Sequence, residues 1–400
     1  MRLSTQWRIS LVAVIGIGIV VLSQSAGQGA EWSAEPSISA KGEYNSNLLL
    51  QPGAQEGTHS YWVSPGVKFA GSTESLRVGG KVASDFVQYF GGRDTFLTNV
   101  YAPLTLHYQG ERSTWDFNGG VTRDNTLRAE LLQTGLVLAF AQRNLWTANP
   151  SWTYRLTERL SFQSGYQLQD ATYETGSRLG LVDYRVHAGN GGLMYRANES
   201  DSFQLSGSYS RFLAPQGNNL VSDTYGVQFS GTYALSERTT FTAGGGPRFI
   251  FNNIDTGAGS FRDNRTIWTF NAHLVTKMER THFSLDLVRE ILPSGFGLLV
   301  QTDRAGANVS HELTDHVTVS LNASGYLTNL VFSSGPQQRP SESRFVTVTP
   351  GMTWRLSEWW TAEMSYTYGQ RDIADADLFV SSHATRMMVT YTPAKLSIGR

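Results

Sequence analysis

The sequence predicts an all-β protein: a transmembrane, antiparallel, up-and-down β-barrel of about 18 strands, set in a bacterial outer membrane. Three observations predict it. Short turns, each carrying one acidic residue, recur about every 40 residues, which marks one supersecondary unit repeated along the chain. The acids are Glu74, Glu111, Glu158, Glu199, Glu237, Glu279, Asp315 and Glu358. Runs that alternate apolar and polar residues lie on both sides of each turn, the period of a β-strand with two unlike faces. The chain also opens with an export signal and has no later apolar run near the ~20 residues of a membrane helix.

The signal comes first. Arg2 and Arg8 precede an apolar run of 14 residues, Ile9 to Leu22. That run is short for a membrane span, and small polar residues follow it from Ser23 to Ala30. Cleavage is expected near Ala26 or Ala30. Residues 1–30 therefore read as a signal peptide and 31–400 as the barrel. Strands begin near residue 36, so no plug domain precedes them. The chain has no cysteine, which excludes a disulfide scaffold and thiolate chemistry. A net charge of −1 gives no basic field for nucleic acid. With 40 Gly, 12% aromatic and only 16% charged residues, the composition suits many strands and turns.

The strands follow in order. Ile38 to Tyr44 precedes the first acidic turn. Each turn then joins two runs, and Arg386 to Tyr391 follows the last. The count is 18, with 16 as a fallback, and even numbers are usual for such barrels. Leu104, Leu106 and Tyr108 alternate with Thr105 and His107. Trp268, Phe270, Ala272 and Leu274 alternate with Thr269, Asn271 and His273. Val317, Val319, Leu321 and Ala323 alternate with Thr318, Ser320 and Asn322. Trp360, Ala362, Met364 and Tyr366 alternate with Thr361, Glu363 and Ser365. The runs are about 10 residues long, enough for a tilted strand to cross a bilayer. The tight turns are expected at the periplasmic rim. The longer connections are Ser46 to His59, Gly91 to Thr95, Gln216 to Ser222, Ile254 to Asn264, Ser333 to Ser343 and Arg371 to Ser382. Leu127 to Asn144 reads as a long loop, or as an extra hairpin that raises the count to 20. Pro65, Pro150, Pro247 and Pro350 fall inside strands, where each removes a ladder donor, so bulges are expected there.

Alternation alone does not say which face meets lipid. The polar faces are Ser, Thr, Asn, Gln and Gly with scattered charges, not the dense Lys and Glu of a soluble surface. Aromatics gather near turns and loop ends, as an interfacial girdle does. Both favour apolar faces outward and a polar lumen. Parity then assigns Arg77, Lys81 and Asp85 to the pore lining on one strand, and Asp116 with Asp124 on another. His187, His273, Asp286, Glu290, Arg304 and Glu363 complete the set. Both signs are present, so no strong ion selectivity follows.

Catalytic patterns are missing. There is no G-x-S-x-G elbow and no phosphate loop. His311-Glu312-Leu313-Thr314-Asp315 starts like a zinc-protease helix motif, but Asp stands where the second His belongs and the segment is a turn. The eight His are dispersed without metal-ligand spacing. The sequence thus predicts no enzyme, no metal and no cofactor.

Two hairpins, Tyr154-Arg-Leu-Thr-Glu158-Arg-Leu-Ser-Phe162 and Tyr233-Ala-Leu-Ser-Glu237-Arg-Thr-Thr-Phe241, resemble those of β-barrel porins encoded with bacterial exopolysaccharide gene clusters. The opening strand with Glu43-Tyr44-Asn45-Ser46-Asn47 is similar to the first strand of that group, as is Leu127-Arg-Ala-Glu130-Leu-Leu-Gln-Thr-Gly135. The resemblance covers most of the mature chain and implies an outer-membrane pore serving polysaccharide export. It carries no catalytic residues. One departure is the C-terminus. Such barrels end on an aromatic residue read by the barrel-insertion machinery, whereas this chain ends Ser397-Ile398-Gly399-Arg400. Either Tyr391 does that job ahead of a short tail, or insertion uses another signal.

Three functions are compatible with these features. A passive outer-membrane channel for hydrophilic solutes leads, with outer-membrane lipid as its solvent. A structural or assembly protein for surface polysaccharide is second, with Tyr61, Trp62 and Trp146 as sugar-stacking candidates. A secreted soluble β-propeller is third, since a 40-residue period also fits blades. The apolar faces mark no oligomer interface.

Overall fold

Every strand pairs antiparallel with its neighbours in the chain, and the first pairs with the eighteenth, so the sheet closes on itself. The computed structural model describes residues 31–399, apart from 54, 92–93, 128–129, 131–139, 217–218, 256–258, 332–341 and 374–377. The expected signal peptide lies outside the described residues, as does most of 127–139.

The wall begins with β1 (Glu31–Asn45), β2 (Thr58–Ser72), β3 (Leu76–Phe90), β4 (Thr95–Gln109), β5 (Ser113–Asn125) and β6 (Gln142–Arg155). It continues with β7 (Leu160–Tyr173), a short helix α1 (Gly176–Leu179), β8 (Tyr184–Arg196), β9 (Ser202–Ala214), β10 (Leu220–Ser236), β11 (Thr239–Asp255) and β12 (Ser260–Lys277). It ends with β13 (Thr281–Pro293), β14 (Leu299–Glu312), β15 (Val317–Leu330), β16 (Glu342–Arg355), β17 (Trp360–Ile373) and β18 (Leu378–Tyr391). A short β19 (Leu396–Gly399) pairs with Glu31–Ala34 and so prolongs the eighteenth strand after a break. The tail behind Tyr391 is thus part of the wall. The barrel has 18 strands by this count, and a propeller is excluded because one continuous sheet replaces separate blades. Residues 126–141 join β5 to β6, with Thr126, Leu127 and Glu130 helical, while 142–144 already belong to β6; among the described residues this stretch forms no extra hairpin.

All eight acidic turns form, and their acids are exposed. In five of the eight, the residue just before the acid closes the turn. The hydroxyls of Thr73, Thr157, Thr314 and Ser357 accept the backbone N–H three residues on, at 3.0 to 3.2 Å. Asn198 does the same for Asp201 at 2.7 Å. Short polar side chains of this kind stabilise tight turns by bonding their own backbone. The acid therefore marks a solvent-facing tip rather than the bond that closes it.

The four prolines form no bulges. Val63 pairs with Phe86 and Gly66 with Ala83 in one unbroken register across Pro65. The same holds at Pro150, Pro247 and Pro350. Each proline leaves a gap of two pairs in one ladder and stays paired in the other, with Ile38, Phe117, Trp268 and Leu321 opposite them. A strand held on both sides can lose one donor without slipping, because a slip would turn every side chain to the wrong face. The recorded register shift lies instead between Ala234 and Ser236.

The outer face is apolar: Val63, Phe86, Trp115, Leu205, Phe229, Trp268, Leu321, Met364 and Met387 are all exposed there. With 13 to 18 residues each, the strands outreach the hydrocarbon layer. Cysteines placed at Met364 (55% exposed) and Met387 (60%) are expected to react with a lipid-dissolved thiol reagent. One at Lys81 should react only with a water-soluble reagent. The chain has no native cysteine to confuse the readout. Reaction of Met387→Cys with the polar reagent alone would reverse the two faces.

Candidate lumen site

The inner wall is polar because every second residue faces it. Cross-strand hydroxyl pairs run along it: Ser39 with Thr390 at 2.9 Å, Thr232 with Thr242 at 3.1 Å and Ser324 with Thr347 at 2.8 Å. Such pairs knit neighbouring strands while keeping a hydrated surface.

Of the eleven residues singled out by parity, ten share the inner face. Arg77, Lys81 and Asp85 alternate with the outward Leu76 and Phe86 on β3. Asp116 faces in beside His107, 2.7 Å away, and Asp286 beside His273, 2.5 Å away. Glu290, Arg304 and Glu363 also point inward, opposite in parity to Leu287, Ala305 and Met364. They are spread around the wall and form no single cluster.

His187 is misplaced by the parity argument. It shares a face with the exposed Leu193 and Tyr195, so it looks outward, and its Nδ1 lies 2.6 Å from Tyr166 Oη. The Gly and Asn residues of β8 (Asn190, Gly191, Gly192) blur the polar-apolar contrast that parity relies on. Charges on this outer face come in pairs: Arg185 with Asp170, and Arg289 with Asp303 through two bonds. Pairing is what makes ionic groups tolerable against a membrane. The sugar-stacking trio also divides. Tyr61 and Trp146 are exposed outward, as a girdle, whereas Trp62 is buried inside under Lys41, whose Nζ sits 3.3 Å from the ring centre.

The inner wall stops being polar near the long-loop rim. There Tyr184, Phe212, Leu220, Ile250 and Val300 face inward and are buried by Leu181 of the β7–β8 connection and Phe296 of the β13–β14 connection. Leu50 of the β1–β2 connection packs on Phe345 and Val380, while Leu48 packs on the Trp62, Val87 and Tyr89 group. Loops therefore fold into the mouth, because apolar side chains on the inner wall need cover from water.

A buried polar cluster ties these loops together. Arg143 on β6 donates from Nε and Nη2 to the two carboxylate oxygens of Asp124 on β5, at 3.0 and 2.9 Å. Their side chains are 2% and 9% exposed. Glu130, from the β5–β6 connection, is buried beside them. Its Oε1 accepts from Tyr173 Oη at 2.7 Å and from the Gly295 N–H at 3.1 Å. The Gly295 carbonyl in turn accepts from Val182 N at 2.8 Å. Three connections thus meet at one point. Burial is the largest influence on the Glu130 carboxyl and lifts it above the ordinary carboxylate range, against the pull of Tyr173, Arg143 and the Gly295 amide. Gly297 sits at φ +69°, and a Cβ there would meet Val182 Cγ1 at 2.9 Å, so the β13–β14 connection needs glycine at its closest approach. Sequence reading missed Glu130, Arg143, Tyr173 and Tyr184 as a group, since two of them fall in or beside the stretch it placed poorly.

No metal-ligand grouping occurs among the described residues. No protein-family model matches the chain, and no curated protein does. Among solved structures, it is similar to Pseudomonas aeruginosa OpdQ, at 9% identity and a TM-score of 0.45, over 91% of this chain and 97% of that one. It is also similar to Acinetobacter baumannii OccAB2, at 10% identity and 0.48, over 91% and 98%. OccAB4 of the same organism gives 10% identity and 0.47, over 94% and 100%. At such scores these likenesses carry no weight in the argument below.

Proposed function

We propose that the protein is an outer-membrane channel that passes hydrophilic solutes by diffusion. The observation that carries this reading is the closed 18-strand wall with its apolar exterior and its hydroxyl- and charge-bearing interior. A ring of that strand number is too wide for wall side chains to fill, so water enters wherever loops do not. The inner-facing residues Arg77, Lys81, Asp85, Asp116, His273, Asp286, Glu290, Arg304 and Glu363 then line the path. The tight turns are assigned to the periplasmic rim and the infolded loops to the outside, following the usual asymmetry of such barrels.

Service to exopolysaccharide export is a finer reading. Its support is the sequence resemblance alone, carried by the hairpins at 154–162 and 233–241, the opening strand at 43–47 and the segment 127–135. A purely structural role in surface-polysaccharide assembly loses its main support, because Tyr61 and Trp146 face lipid and Trp62 is covered.

Reconstitution in planar bilayers tests the channel. Stepwise single-channel currents are expected from protein shown to be folded by heat-modifiable gel migration. Folded, inserted protein that never conducts would overturn the function while leaving the barrel intact.

A further inference from the structure

Lys68 on β2 and Lys81 on β3 are direct cross-strand partners, both on the inner face and both exposed to the lumen. Like charges placed opposite one another weaken a sheet. Neither lysine forms an ion pair among the described residues. Glu35 stands opposite Lys68 on the other side, in register on β1, but its Oε1 goes to Lys395 Nζ at 3.6 Å, from the break between β18 and β19. Lys68, Lys81, Lys395, Glu35 and Ser33 line one cavity of about 290 Å³. Three ammonium groups against one carboxylate leave that cavity with an excess of positive charge. Its volume is several times the roughly 30 Å³ that one water occupies in the liquid, so a small solvated ion fits.

We propose that this cavity binds a compact, multiply charged oxyanion of the phosphate class, free or carried on a small solute. The reading of the lumen as a solute path is assumed only for how the anion arrives. Lysine is a dense, strongly hydrated point charge with rotatable donors, whereas planar carboxylate recognition favours the fork of arginine. No arginine lines the cavity. The lysine-only donor set therefore ranks dianionic phosphate above a singly charged carboxylate. Arrangement, not net charge, makes the site: the chain as a whole is nearly neutral.

The test is equilibrium dialysis of the folded full chain in detergent at low salt, with inorganic phosphate and, separately, galacturonate as probes. Saturable phosphate binding is expected, weakened at least about tenfold in Lys68→Ala/Lys81→Ala, since close charge–oxyanion pairs contribute on that scale. Galacturonate should bind more weakly than phosphate. Lys68→Gln/Lys81→Gln keeps the side-chain stems and should lose binding equally, which covers misfolding of the alanine variant. Phosphate binding that does not saturate, or survives in both double variants, overturns the site. Galacturonate binding as tight as phosphate overturns the assigned class. Dialysis reads binding whether or not current flows. Saturable binding in a barrel that never conducts therefore sinks the channel and keeps the site, and a conducting barrel without binding does the opposite.

Discussion

Asp124→Ala is expected to destabilise the barrel by about 3–5 kcal/mol, the cost of stripping one partner from a buried ion pair. The Arg143 guanidinium is nearly closed to solvent and spends two of its donors on Asp124. Without that carboxylate it stays buried and uncompensated, because the infolded loops bar water from reaching it. Surface pairs behave otherwise. Removing Glu35 from the exposed Lys395, a pair that faces water, should cost about 1 kcal/mol or less. The double replacement Asp124→Leu/Arg143→Met should recover most of the loss, since apolar groups of similar volume often match a buried pair. Urea midpoints in detergent, followed by heat-modifiable migration, give all four values. A loss below about 1 kcal/mol for Asp124→Ala would show that water reaches Arg143 and that the loops do not shield this pair.

The second large effect concerns conductance and pH. The Glu130 carboxyl is raised by burial, so its neutral form is the one the interlocked loops favour. A group raised in the folded state contributes stability that is complete below its unfolded value and is lost as pH climbs through the folded one. The junction of Glu130, Tyr173 and Gly295 should therefore hold at acid pH and loosen as pH rises. Single-channel conductance is expected to increase as pH is raised above the ordinary carboxylate range, with the mouth widening as the carboxylate ionises. Asp124, Arg143, Tyr173 and Tyr184 surround the same junction. Asp124 and Arg143 bond each other, while Glu130 bonds the Tyr173 hydroxyl and the Gly295 amide across the connections. Other ionisable groups line the lumen, so wild type must be compared with Glu130→Gln. The amide keeps an acceptor for Tyr173 and Gly295 and removes the charge. Its conductance should stay low and lose most of the alkaline rise. An unchanged rise would assign the effect to other groups and remove Glu130 from gating.

The infolding of the loops had a local trace that alternation analysis passes over. Phe86-Val87, Phe212-Leu213, Phe249-Ile250-Phe251, Phe345-Val346 and Phe379-Val380 are apolar on consecutive residues, near the long-loop ends of their strands. A strand apolar on both faces is covered on both. Outside that covering is lipid; inside it can only be loop. Lys68 was equally legible, since Val67 and Phe69 flank it and face out, yet its significance depends on Lys81 standing opposite. The bulges expected at the prolines fail for a related reason. A proline removes one donor, but whether the register shifts depends on how firmly the second neighbour holds the strand.

What the sequence determined alone was the set of properties that need only neighbouring residues: the turns, the strand number and, His187 apart, the face taken by the charged residues that parity singled out. These follow from a period of two and from which solvent each face prefers. Only the tertiary structure decided that β1 closes on β18 with β19 extending the seam, that three connections meet at Glu130, and that two lysines confront each other beside a third. Those contacts join residues up to hundreds of positions apart. Their geometry is set by where each strand stands around the ring, and no local pattern encodes that position.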